Sequence, residues 1–143
     1  MQKVSNIIGK LEIAVSLFSL TIHSIFASFA IFSPEAHDQE RPSAGIILLI
    51  AIFVIMPSLL FLLGSYLHAR KYKEGGVIIL FTAIPMLGLY FYLGLLGLYG
   101  MESLLSLQFM GIVTFILIPI TMFVLAVMQE AKISTFVRRS DLS

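Results

Sequence analysis

Residues 44–67, 76–99 and 104–128 contain no Asp, Glu, Lys or Arg, and no other feature of the chain restricts its fold as much. Each run reaches the length of about 20 residues that a helix needs to cross ~30 Å of hydrocarbon. Backbone groups in lipid find no water, so a spanning run of this kind has to bond within itself as a helix. A fourth run, 11–32, reads "LEIAVSLFSLTIHSIFASFAIF" and is long enough to span with Glu12 at its edge. Only 12% of the chain is charged against 59% hydrophobic, with a mean hydropathy of +1.02. Soluble domains carry about 25% charged residues, so a water-facing surface is excluded.

The connections "SPEAHDQERPS", "HARKYKE" and "GMES" are short, which makes consecutive helices antiparallel neighbours. The expected fold is therefore all-α. It is a single integral membrane four-helix bundle over 1–143, built of two antiparallel hairpins, with spans near 11–32, 44–67, 76–99 and 104–128. Residues 129–143 are expected to form a cytoplasmic tail whose cations meet anionic lipid.

Lysines and arginines mark the cytoplasmic side. Lys3, Lys10, Arg70, Lys71, Lys73, Lys132, Arg138 and Arg139 fall on one side of these four spans, and Arg41 alone on the other. Both termini are accordingly expected inside, in a plasma or inner membrane. Glu35, Asp38, Glu40 and Glu102 make the outer loops acidic, which agrees. Lys3, Lys10, the first apolar run and the triplet Ser28-Phe29-Ala30 also imitate a cleavable signal peptide. The run is long enough to span and stays helix-friendly past Ala30, which favours a retained helix.

Inside the spans, position and polarity single out a few residues. On a helix, Glu12, Ser16, Ser19, His23, Ala27 and Ala30 share one sector, while Leu11, Val15, Phe18, Ile22, Ile25 and Phe29 form an apolar one. Small and polar residues belong against other helices. His23 sits near mid-depth, where an ionisable group is a candidate functional residue; the competing reading is a neutral histidine bonded to a neighbouring helix. Glu12 lies ~16 Å away along the helix and reads as a solvated or snorkelling charge at the helix end. Pro57, Pro85 and Pro119 fall at similar depth in spans two to four, each freeing a carbonyl. With Ser19, Ser58 and Thr121 they suggest a kinked, partly hydrated site around His23. Gly94 and Gly97, with Ala83 and Tyr90, form a small-residue face suited to close helix packing. Phe81, Gly88, Tyr92 and Tyr99 populate the opposite face.

Offset by 62 residues, "FVIMPSLLFLLGSYLHAR" resembles "FILIPITMFVLAVMQEAK", matching Pro57 with Pro119 and Arg70 with Lys132. This suggests parallel repeats of the two hairpins.

No cysteine is present, which removes disulfides, thiol chemistry and cysteine-ligated metals,. His23, His37 and His68 fall at different depths, and no H-E-x-x-H run or phosphate loop appears, so no catalytic, cofactor or metal site is expected. The net charge of +1 gives no case for nucleic acid. The expectation is a non-enzymatic membrane protein acting through helix association, as an accessory subunit or a self-assembling bundle. Its partners are the bilayer and either copies of itself or a larger membrane complex. The alternative is an oligomeric transporter or channel subunit using His23.

The orientation is testable because the chain lacks cysteine. Ser43→Cys is expected to react with an impermeant thiol reagent added to intact cells, and Ser140→Cys only after permeabilisation. Labelling of Ser140→Cys in intact cells would invert the topology.

Overall fold

The computed structural model describes residues 2–32, 43–98 and 107–140, with side chains at all of these save 2, 30, 46, 96–98, 107–110 and 133–140. The expected outer loops, 33–43 and 100–103, lie outside the described residues apart from Ser43, as does Tyr99; Ala30 and Gly97 are described in backbone alone.

Every described element is helical. They are α1 (Gln2–Phe32), α2 (Ala44–Ile50), a π-helical turn (Ala51–Ile55), α3 (Met56–Ala69), α4 (Lys73–Leu98) and α5 (Leu107–Ser140). α2, the π turn and α3 run on without a break and together make the second span. Among the described residues, four helical stretches are long and apolar enough to cross a membrane: Lys3–Phe29, Ile47–Ala69, Lys73–Leu95 and Gly111–Lys132.

α3 and α5 each pack against both α1 and α4, so the four helices form a ring with α1 and α4 on one diagonal. Contacts fix the directions. Glu12 meets His68 whereas Ser19 meets Ser58, so α1 and α3 run oppositely. Ser5 meets Gln129 and Ser16 meets Met122, so α5 also runs antiparallel to α1. One end of the bundle therefore carries residues 5, 68 and 129 together, and is called the terminal end below.

The bundle buries a polar seam and turns large apolar side chains outward. Phe18, Phe29, Phe81 and Phe91 are more than half exposed, whereas Glu12, Ser16, Ser19, His23, Ser58, Ser65, His68 and Gln129 are fully buried. Water would leave such a surface unpaid by any hydrophobic gain; hydrocarbon accepts it, because lipid tails are as apolar as the side chains. An apolar core built from Phe61, Ile79, Ala83, Met86, Ile118, Met122 and Ala126 fills the space between α3, α4 and α5. On α1, Leu11, Phe18, Ile25 and Phe29 face outward as their sector requires, but Val15 is half-buried against this core.

Two backbone features differ from the expectation. The π turn precedes Pro57, and the Met56 N–H bonds the Ala51 carbonyl, one residue beyond α-helical reach. Proline removes an N–H and crowds the preceding turn, and a widened turn absorbs that mismatch. Pro85 and Pro119 sit inside unbroken α-helices, so the proposed repeat does not extend to backbone geometry. The helix of the fourth span also continues past Met128 through Ser140, with Gln129 buried in the bundle.

Between α3 and α4 the chain reverses through a Schellman arrangement. The Tyr72 N–H bonds the Leu67 carbonyl at 3.1 Å and the Lys71 N–H bonds that of His68 at 2.9 Å, which satisfies carbonyls the helix leaves open. Lys71 adopts φ 69°, a left-handed conformation that glycine usually takes. Beyond the turn, α3 and α4 touch backbone to backbone: a Cβ on Gly64 would stand 2.8 Å from Ile79 Cγ1 and 2.9 Å from the Gly75 carbonyl oxygen.

At the other end, a Cβ on Gly94 would lie 3.0 Å from Ile112 Cγ2 and 3.3 Å from Ile116 Cδ1, so Gly94 faces α5; Gly88 has nothing within 4 Å. Gly94→Leu should therefore overpack the α4–α5 contact and cost about 1–3 kcal/mol. Gly88→Leu should change stability by less than about 0.5 kcal/mol. Reversible unfolding in mixed micelles compares the two; equal effects would mean that Gly94 does not face α5.

Candidate functional site

Buried positions on α1 recur at steps of three or four: Ser5, Ile8 and Gly9, Glu12, Ser16, Ser19, His23 and Ala27. That is the seam of a helix packed in a bundle, and here the seam is mostly polar. α3 answers with Ser58, Phe61, Ser65 and His68 at the same steps. The facing groups meet in layers.

At mid-bundle, His23 is held from three sides. Its Nδ1 lies 2.7 Å from the Ser19 carbonyl oxygen, so this nitrogen carries the hydrogen and donates it. Nε2 then accepts from the Tyr90 hydroxyl at 2.7 Å. The Phe115 ring stands edge-on to the imidazole at 4.8 Å between centroids, and Tyr90 packs on Phe115 at 5.5 Å. Both ring nitrogens are thus engaged by protein groups. One layer toward the terminal end, the Ser19 and Ser58 hydroxyls are 3.0 Å apart. The next layer pairs Ser16 with Ser65 at 2.8 Å, while the Ser16 hydroxyl also reaches the Glu12 carbonyl oxygen at 2.7 Å.

At the terminal end the seam becomes charged. His68 Nδ1 is 3.0 Å from Glu12 Oε1, and His68 Nε2 is 3.3 Å from Glu130 Oε1. Glu12 and His68 are fully buried, whereas the Glu130 side chain remains 30% exposed. Closing this end, Lys71 Nζ donates to Ser5 Oγ, and Ser5 donates to Gln129 Oε1 at 3.2 Å. Glu12 is therefore no solvated charge at a helix end. The stripe it shares with Ser16 and Ser19 was the available signal, and spacing on the seam outweighs proximity to the membrane surface. His68, Glu130, Gln129 and Tyr90 escaped sequence reading as site members, because their partners come from helices distant in the chain.

The expected midplane set divides. Ser19, His23 and Ser58 come together, joined by Tyr90. Thr121 is exposed, and its hydroxyl donates to the Leu117 carbonyl oxygen of its own helix at 2.8 Å. Pro119 is fully buried. Pro57 and Pro85 line an open apolar groove of about 490 Å³ between the second span and α4, with Phe53, Phe81 and Thr82 and without His23. Among the described residues no group of three or more His, Asp or Glu is arranged to hold a metal ion.

Comparison with protein-family models, curated proteins and solved structures gives no match for this chain.

The His23–Tyr90 bond crosses the diagonal from α1 to α4. Tyr90→Phe keeps the ring against Phe115 and deletes only the hydroxyl. It should cost ~0.6 kcal/mol, and not much above ~1.7 kcal/mol, the range for hydrogen bonds between membrane helices. Unfolding in mixed micelles reads this difference; no loss in Tyr90→Phe would mean that the bond is not formed in the membrane.

Proposed function

We propose that this chain is a non-enzymatic integral membrane protein that acts through helix–helix association, as an accessory subunit or a self-assembling bundle. The observation that carries the reading is the division between a polar interior whose middle layers satisfy themselves and an apolar exterior that keeps an open groove. The groove between the second span and α4 exposes Phe53 and Phe81 beside two prolines. Gly88 adds an uncovered small residue on α4. Small residues and shape allow a helix to pack closely in lipid, where hydrophobicity alone gives no drive. In this reading the two hairpins insert with both termini in the cytoplasm of a cell with a plasma or inner membrane, which the distribution of lysine and arginine supports.

A photo-crosslinking residue at Phe81 tests the association. Irradiated membranes should yield a protein adduct at Phe81, on the groove, and none at Phe18, on the outer face of α1. Lipid adducts alone at both positions would refute association through this face.

The second reading, a small transporter or channel subunit, has one observation in its favour: hydroxyl pairs lead from the charged terminal layer to His23 at mid-bundle. Under it, His23→Gln in liposomes leaves the fold intact and abolishes a proton flux present in the parent protein. Under the first reading neither protein carries such a flux.

A further inference from the structure

The middle layers are internally satisfied, but the terminal layer is not. Four buried polar atoms there have no hydrogen-bond partner: Glu12 Oε2, His68 Nε2, Gln129 Nε2 and Glu130 Oε1. Glu12, His68 and Gln129 are fully buried, and each comes from a different helix. Unpaired polar groups in such a place are costly, and two of the four, His68 Nε2 and Glu130 Oε1, face each other at 3.3 Å, a contact that lacks something the layer has to bind.

Proton counting identifies it. An imidazole in its neutral form carries one N–H and one lone pair. Both nitrogens of His68 face carboxylate oxygens, Nδ1 toward Glu12 at 3.0 Å and Nε2 toward Glu130 at 3.3 Å. If Nδ1–H donates to Glu12, the Nε2 lone pair is set against an oxygen lone pair of Glu130. The opposite tautomer moves the same conflict to Glu12. One added proton removes it, whether it rests on the ring as imidazolium or on the facing carboxyl. We propose that Glu12, His68 and Glu130 form a proton-binding site that clamps α1, α3 and α5 together when occupied. The site takes up one proton from water, and no bond between heavy atoms forms or breaks.

The surroundings fit this use. Glu130 is the partly exposed member and gives the proton its way in from solvent. Its carboxylate lies against Gly76, where any Cβ would collide with it, and Gly75 similarly brings α4 onto the backbone of His68. α4 thus approaches the triad through glycine backbone, and its nearest charges, Lys73 and Glu74, are exposed. From the α3–α4 turn Lys71 is held by Ser5, which in turn holds Gln129. Lys10 on α1 is exposed and Lys132 on α5 partly buried, and neither forms an ion pair with the triad.

The sign follows from the count. The clamp is complete with the proton bound and is lost as rising pH removes it. Thermal unfolding of the full chain in lipid nanodiscs, scanned from about pH 5 to about pH 9, the range around histidine titration, should show stability falling by several degrees. In Glu130→Gln the amide N–H can satisfy Nε2 of a neutral ring, and in Glu12→Gln the mirror tautomer is satisfied. Each variant should lose the pH dependence while remaining folded. Ring ¹⁵N signals of His68 give a readout that needs no folded variant: at the acid end both nitrogens should sense the shared proton, and at the basic end one should become a bare acceptor. An equal pH slope in the parent and both variants would overturn the proposal. So would a His68 spectrum unchanged across the scan. Stabilisation by added Zn²⁺ or Mn²⁺ in place of the proton would overturn it too, and make the layer a metal site.

Discussion

A polar side chain inside a bilayer has no water to turn to, so its partner has to be another helix. α1 carries a line of such residues from Ser5 to His23, and this line dictates how the bundle is assembled. Each member needs a matching group at the same depth. α3 supplies Ser58, Ser65 and His68, α4 supplies Tyr90, and α5 supplies Gln129 to α1 and Glu130 to His68. Sliding α1 by one turn would break several of these matches together. The weak individual bonds thereby set one register, although none of them contributes much stability alone.

Backbone geometry follows from that register. The charged layer lies beside the α3–α4 turn, where Lys71 accepts a left-handed conformation and Gly64, Gly75 and Gly76 let the helices meet closely. Side chains in place of those glycines would force α4 away from His68 and Glu130. The prolines act on the other side of α3 and α4. Pro57 and Pro85 border the outward groove, and the π turn before Pro57 keeps the Met56 N–H bonded, to the Ala51 carbonyl.

Helix number was legible because charge-free runs of this length have few alternatives in lipid. The face of α1 was legible as well, since Ser16, Ser19 and His23 keep helical spacing and Leu11, Phe18 and Ile25 keep the complementary one. Gly94 could be assigned to a contact for the same reason. What periodicity could not supply was the partner across the bundle. Glu12 looked like an end-of-helix charge because His68 lies 56 residues away, and nothing local announces the pairing. Depth along separate helices was also too coarse a guide. Three prolines at similar distances from their helix ends suggested a ring around His23, yet rotation about the helix axes sends Pro57 and Pro85 to the outer groove and leaves only Pro119 buried.

The inward orientation of the α1 seam is open to one direct measurement. The absence of cysteine allows nitroxide labels to be placed singly from position 11 to position 29 in bilayers, and their collision rates with dissolved oxygen to be recorded. Oxygen concentrates in hydrocarbon, so the rates should oscillate with a helical period of about 3.6 residues. Maxima are expected at Leu11, Phe18, Ile25 and Phe29, and minima at Ser16, Ser19 and His23. Maxima at the serines and His23, or rates without period, would mean that the polar seam does not hold the bundle together.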